Sequence, residues 1–140
     1  MKIMAVDLGN ARTGIAISDE SESFAFPNCV ITEYNKEKVP AKVAEKAKEL
    51  GAELIVAGLP KNMDGSEGFR AEECRALANK IAEISGLEVV LRDERLTTVS
   101  AHTVLNFNDV KGKKRKDTVD AVAAVMILED YLAFRKNIKK

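Results

Sequence analysis

The sequence predicts an α/β domain with a mixed five-stranded sheet, antiparallel across strands 1–3, parallel across strands 4–5, and flanked by helices. Three observations predict it. The first 32 residues hold three short apolar and β-branched runs with brief polar connections, the pattern of an antiparallel meander. Beyond residue 37 the apolar spacing lengthens to a helical period and alternates with further short strands. A helix between two strands of one sheet implies a right-handed crossover and a parallel pair. At 140 residues the chain has the length of one domain spanning 1–140, with no linker or internal repeat.

Lys2–Leu8 (KIMAVDL) reads as the first strand and ends in Gly9-Asn10. Thr13–Ser18 reads as the second, after a tight turn through Asn10, Ala11 and Arg12. Asn28–Thr32 follows Pro27 and reads as the third. Lys38–Leu50 places Val39, Val43, Ala47 and Leu50 on one helical face. Pro40 suits its first turn, and Gly51 stops it. Glu53–Ala57 is a short apolar strand, expected to be buried on both faces. Gly58–Gly68 is a loop rich in Gly, Pro, Asn and Asp. Phe69–Ser85 is a helix with Phe69, Leu77, Ile81 and Ile84 inward, stopped by Gly86. Leu87–Leu91 is the last strand and Thr97–Asn106 a shorter helix. Phe107–Lys116 is a polar, basic loop, and Thr118–Arg135 is a long final helix.

Composition narrows the function classes. Apolar residues make up 46% and charged residues 31% of the chain, an ordinary globular mixture. The longest apolar stretches, such as Ala121–Leu128, fall short of the about 20 residues a bilayer requires. Asp7 interrupts the N-terminal apolar run, which is unlike a signal peptide. The expectation is a cytoplasmic protein without a membrane partner. Cys29 and Cys74 have no CxxC spacing, and His102 is the sole histidine, which excludes a His-rich zinc site. Net charge is zero, but residues 111–140 hold nine Lys/Arg against four Asp/Glu. A basic C-terminal segment suits a polyanionic partner.

Three acidic positions carry the chemistry. Asp7 ends an apolar strand expected to lie centrally, where a lone carboxylate is costly to desolvate unless paired or bound to a cation. A turn cap with Arg12 as partner is the plainer alternative. Asp93-Glu94-Arg95 sits at the carboxyl end of the last strand, the edge where open α/β sheets gather their ligands. Asp120 lies one turn into the final helix, where Asp117 is the better simple N-cap. Carboxylates from separate elements, without a His or Cys cluster, suit hard divalent cations such as Mg²⁺ or Mn²⁺. Such ions support phosphodiester cleavage. Arg12, Arg70, Arg95 and the run Lys111, Lys113, Lys114, Arg115 and Lys116 are candidates for holding a phosphate backbone.

These residues resemble a known family. Asp7-Leu-Gly-Asn-Ala-Arg12-Thr-Gly14-Ile-Ala16 is similar to the opening DxGxxRxGxA of the YqgF/RuvX family. Gly58-Leu-Pro60-Lys-Asn62-Met-Asp64-Gly65-Ser-Glu-Gly68 resembles its GLPxNMDGxxG loop, and Asp93-Glu94-Arg95-Leu-Thr97-Thr98 its DERLTT segment. Lys114-Arg-Lys116 followed by Asp120-Ala-Val-Ala123-Ala124-Val-Met-Ile127-Leu128 resembles its closing motif. The four occur in order over residues 7–132. The resemblance implies an RNase H-like fold related to the junction resolvase RuvC. It also implies a nuclease acting on the 5′ end of pre-16S rRNA, with Asp7, Glu94 and Asp120 as metal-binding carboxylates. Asp93 and Glu94 both remain candidates for the middle position. Glu94 is preferred for its longer arm, and Arg95 would then touch phosphate. The Gly58–Gly68 loop is expected to contact nucleic acid through backbone N–H groups and Asn62.

The implied partner is structured RNA, or branched DNA if the chain is a junction resolvase. The chain itself is expected to be a monomer or weak homodimer. A phosphate-binding ATPase lobe and a non-catalytic nucleic-acid-binding module are the other readings. With no tryptophan and two tyrosines, the composition argues against an aromatic stacking platform and for recognition by backbone shape and charge.

Overall fold

Strand β1 (Ile3–Leu8) lies at the centre of the sheet and is buried along its length except at Asp7, which is half-buried. On one side it pairs antiparallel with β2 (Arg12–Ser18), which pairs antiparallel with β3 (Ala25–Thr32). On the other it pairs parallel with β4 (Leu54–Leu59), which pairs parallel with β5 (Val89–Asp93). The order β3-β2-β1-β4-β5 is the mixed sheet expected from the sequence. The computed structural model describes residues 1–9, 11–60, 67–93 and 113–138, with 113–120 described by backbone alone. The expected helix over Thr97–Asn106, together with Asn62, Glu94 and Arg95, lies outside the described residues.

Strand β3 starts at Ala25, not at Asn28 as the sequence suggests. Pro27 reads as a boundary because it donates no ladder hydrogen bond, but β3 is an edge strand, where that loss is tolerated. The register steps from Ile15–Cys29 to Ala16–Pro27, which leaves Asn28 as the extra residue of a bulge.

Helices α1 (Val39–Leu50) and α2 (Phe69–Ser85) cover one face of the sheet. Pro40 falls in the first turn of α1 as expected. Gly51 and Gly86 end the two helices in the left-handed region, at φ 73° and 74°, which glycine adopts without a Cβ penalty. Val39, Val43 and Ala47 of α1 are buried on Met4, Val6, Leu8, Ile15 and Ile55. The inward stripe of α2 is Ala71, Cys74, Ala78 and Ile81. Phe69 and Ile84, expected inward, are exposed. Small residues let α2 pack closely beside α1, and its two large terminal side chains fall outside that contact.

The final helix, α3 (Lys113–Ile138), covers the opposite face. It begins earlier than the sequence suggests, so Lys113, Lys114, Arg115 and Lys116 are helical and not loop. Lys and Arg are good helix formers, and their charge hides a helix that lacks an apolar stripe in its first turn. Asp117 is therefore inside the helix and not its cap, and Asp120 lies two turns in. Ala124, Ile127, Leu128, Tyr131 and Leu132 pack on Ile3, Ala5, Ala16, Leu54 and Val56. Arg135 pairs with Glu22 at 2.6 Å, and Glu22 also receives the N-terminal ammonium at 3.3 Å. The carboxyl end of α3 is thus tied to the edge of the sheet where β1 begins.

Candidate active site

Strands β1, β4 and β5 are parallel, so their carboxyl ends share one edge of the sheet. Strand β2 begins there and β3 ends there, since both neighbouring pairs are antiparallel. That edge collects Asp7, Arg12, Thr32, Leu59 and Asp93.

The pleat decides which face each residue serves. Met4, Val6 and Leu8 join the core under α1 and α2, and Ile3 and Ala5 join the core under α3. Asp7 therefore stands on the α3 face. It faces Gly14 of β2. The β1–β4 register runs to Val6–Ala57, so the next position, Gly58, flanks Asp7 on its other side. Both in-register neighbours of Asp7 lack a side chain. The carboxylate is half-buried, and the two glycines beside it, Gly14 and Gly58, are buried. Nothing in the one-dimensional sequence connects Gly14 and Gly58, and only the register shows that they bracket the same residue.

The β1–β2 turn holds Asp7 in place. The Gly9 amide donates to the Arg12 carbonyl at 2.9 Å. A Cβ on Gly9 would lie 2.5 Å from that carbonyl oxygen, so the close approach requires glycine. Arg12 shares the face of Gly14, two residues away along β2. It is thus a diagonal neighbour of Asp7, within reach for a long side chain. Both Asp7 and Arg12 are engaged in polar interactions. Arg70 lies at the amino end of α2, exposed, on the same edge but over the other face.

Strand β5 adds a residue that sequence reasoning missed. Arg92 pairs in register with Gly58 and reaches α3, where Nε and Nη2 donate to Asp130 at 2.9 and 2.8 Å. Its guanidinium lies 4.7 Å from the Phe134 ring centroid, a cation–π contact. Val89 and Leu91 pack on the α1–α2 core and Val90 on the α3 core. Alternation then puts Arg92 on the α3 face and Asp93 on the face opposite Asp7.

Among the described residues there is no group of three His, Cys, Asp or Glu side chains that could hold a metal. Glu94 and the side chain of Asp120 lie outside what is described. Neither cysteine is in a disulfide. Among the described residues no helix is long and apolar enough to cross a membrane.

A family model described as RuvX, Holliday junction resolvase, matches residues 1–134. The chain belongs to the RuvX family. One Bacillus cytotoxicus relative, named "Putative pre-16S rRNA nuclease", is 42% identical over 135 residues, spanning 94% of this chain and 98% of its own. T. thermophilus RuvC in complex with a Holliday junction substrate aligns over 98% of this chain and 96% of that one, with TM-score 0.64 and 14% identity. The fowlpox virus Holliday junction resolvase aligns over 95% and 99%, with TM-score 0.55 and 14% identity. These likenesses establish the RNase H-like fold of RuvC-type resolvases. Membership of the RuvX family makes the chain a phosphodiester-hydrolysing enzyme.

Proposed function

We propose that this RuvX member is a divalent-metal-dependent nuclease that processes the 5′ end of pre-16S rRNA, with Asp7, Glu94 and Asp120 holding Mg²⁺ or Mn²⁺. The observation that carries this reading is Asp7 itself. It is a half-buried carboxylate on the central strand, at the carboxyl edge of the sheet, with glycine on both sides. A hard oxygen donor flanked by two positions without side chains suits a divalent ion.

Asp93, the last residue of β5, falls on the face opposite Asp7 by strand alternation, and Glu94 with its longer arm stays the preferred middle ligand. One further placement supports the ligand set. Position 120 is four residues before the buried Ala124 and continues the row of 124, 128 and 131. The carboxyl end of α3 is fixed where β1 begins, so its amino-terminal turns lead toward the edge where β1 ends. From Arg135 back to Asp120 the helix covers about 22 Å, and the extended chain from Met1 to Asp7 covers about 20 Å.

A divalent ion bound there would supply an activated water and stabilise the leaving oxygen. The chain's own residues bind and orient. Arg12, diagonal to Asp7, is placed to hold a phosphate beside it. Arg70 and Arg95, the Asn62 loop and Lys113, Lys114, Arg115 and Lys116 extend the backbone contacts. The enzyme acts as a monomer or weak homodimer on structured RNA.

The family description favours a second reading, junction resolution on branched DNA, which requires two copies to cut symmetrically. Labelled pre-16S 5′-leader RNA and a synthetic four-way DNA junction, each with Mg²⁺, Mn²⁺ or chelator, separate the two. Metal-dependent cutting of the RNA alone supports the proposal. Paired symmetric cuts in the junction replace it with resolution. Binding without cutting of either makes the chain a nucleic-acid-binding module.

A further inference from the structure

The two most exposed large apolar side chains among the described residues are Tyr34, at 82%, and Phe69, at 77%. Both lie at the same edge of the sheet as Asp7. Tyr34 follows β3, whose end meets the start of β2 through the Arg12–Thr32 pair. Phe69 is the first residue of α2, which starts at that edge because β4 ends there. Composition alone argues against aromatic recognition. Placement argues for it, since the two rings that stand furthest into water both lie beside the reactive edge.

Neither ring sits on a loose segment. The Glu33 amide donates to the Ala11 carbonyl at 2.9 Å. The Asn35 amide donates to Glu33 Oε2 and the Glu37 amide to Asn35 Oδ1, both at 3.0 Å. Lys36 then pairs with Glu73 of α2, one helical turn beyond Phe69 on the same face of the helix. The ion pair thus joins the Tyr34 turn to the Phe69 stripe. Below it, Lys36, Pro40, Glu73, Leu77 and Lys80 line a groove of about 530 Å³ between the two helices. Lys38 and Arg70 are exposed at this corner, as is Glu37, which also lines the groove. Exposed rings beside cations form the kind of surface on which unpaired bases stack while their phosphates are neutralised. By strand spacing and rise, Tyr34 is on the order of 15 Å from Asp7, the span of a few nucleotides.

We infer that Tyr34 and Phe69 form a stacking platform for unpaired nucleotides of the strand held at Asp7. The preferred substrate therefore carries a single-stranded stretch next to the cleaved bond. This rests on the nuclease reading of the Asp7 edge. The strand crosses that edge from the α3 face, its phosphates on Arg12 and its bases on the two rings.

The test uses a hairpin RNA, the same hairpin with a ten-nucleotide single-stranded extension, and the same extension made abasic. Binding is read by fluorescence anisotropy in chelator, and cleavage in Mg²⁺. The variants are Tyr34→Ala, Phe69→Ala, the double variant, and the ring-keeping pair Tyr34→Phe with Phe69→Tyr. Each ring is expected to contribute about tenfold in affinity for the extended probe. The double variant should bind the blunt hairpin as wild type does. The abasic extension should remove most of the wild-type advantage, and the ring-keeping pair should restore it. Equal affinity of wild type and double variant for the extended probe would overturn the platform, as would equal losses on the extended and blunt hairpins. If wild type cuts and the rings do not matter, the nuclease reading stands and the platform falls. If ring-dependent binding persists while nothing is cut, the platform stands and the nuclease reading falls. If a protein partner covers the rings instead, no RNA probe will sense their loss, and the inference is refuted.

Discussion

Replacing Gly9 by alanine strikes the turn that holds Asp7 in position. The new Cβ would sit 2.5 Å from the Arg12 carbonyl oxygen, too close to persist, and the obstructing atom is backbone, so it cannot swing aside. Relief requires the Gly9 amide and Arg12 carbonyl to separate, which removes their 2.9 Å hydrogen bond. That loss costs about 1 kcal/mol, and the forced backbone shift costs about 2 kcal/mol more. The sum of about 3 kcal/mol, against an unfolding entropy of about 0.3 kcal/mol/K for a chain this long, lowers Tm by about 10 °C. Gly51→Ala is the control. Gly51 has φ 73° but nothing within 4 Å of its would-be Cβ, so only the left-handed backbone penalty of about 1–2 kcal/mol applies. Differential scanning calorimetry of both variants, with cleavage measured well below Tm, tests the reasoning. Gly9→Ala should be the less stable and should also lose activity, because Asp7 is two residues away. A Gly9→Ala protein within about 2 °C of wild type and fully active would refute the claim that this close approach fixes the site.

Three further outcomes follow from other contacts. Arg92→Met removes the Asp130 ion pair and the Phe134 contact while keeping the apolar stem. It should cost about 1–2 kcal/mol in urea unfolding, and adding Asp130→Asn should cost little more. Asp19 accepts from the Ser23 and Phe24 amides and from the Ser21 hydroxyl, with the Ser21 hydrogen bond foremost in holding its carboxyl down at about 2, below the usual carboxylate range. A depressed carboxylate stabilises the fold above its unfolded pKa. The advantage of wild type over Asp19→Ala should therefore be constant at neutral pH and shrink as pH falls from about 4 toward 2. Leu128→Ala, in the fully buried contact between α3 and the sheet, should cost about 2–5 kcal/mol, read by the same unfolding series.

The sheet was legible because its strands are short, apolar and punctuated by turn residues, and because parallel pairing follows from the intervening helix. Asp7 stood out as a charge in a central strand, and the register then gave it meaning. What stayed hidden was of two kinds. Some features depend on pairing across distant segments, as with Gly14 and Gly58 bracketing Asp7, or Arg92 reaching Asp130. Others were misread because a local signal is ambiguous. Pro27 ends a central strand but not an edge strand. Phe69 has the size of a core residue at a position that overhangs the sheet edge. The Lys113–Lys116 run has the charge of a loop and the propensity of a helix.

The most direct measurement on the central claim is Asp7→Asn, assayed for Mn²⁺-dependent cleavage of leader RNA and for the rise of Tm with added Mn²⁺. A metal-holding role for Asp7 predicts a folded protein that loses about a thousandfold in cleavage, the several kcal/mol a bound ion supplies to the transition state. It also predicts that wild type gains stability with the ion and that the variant does not. Cleavage at the wild-type rate, with an unchanged Mn²⁺ response, would mean that Asp7 is a structural carboxylate and that the metal site lies elsewhere.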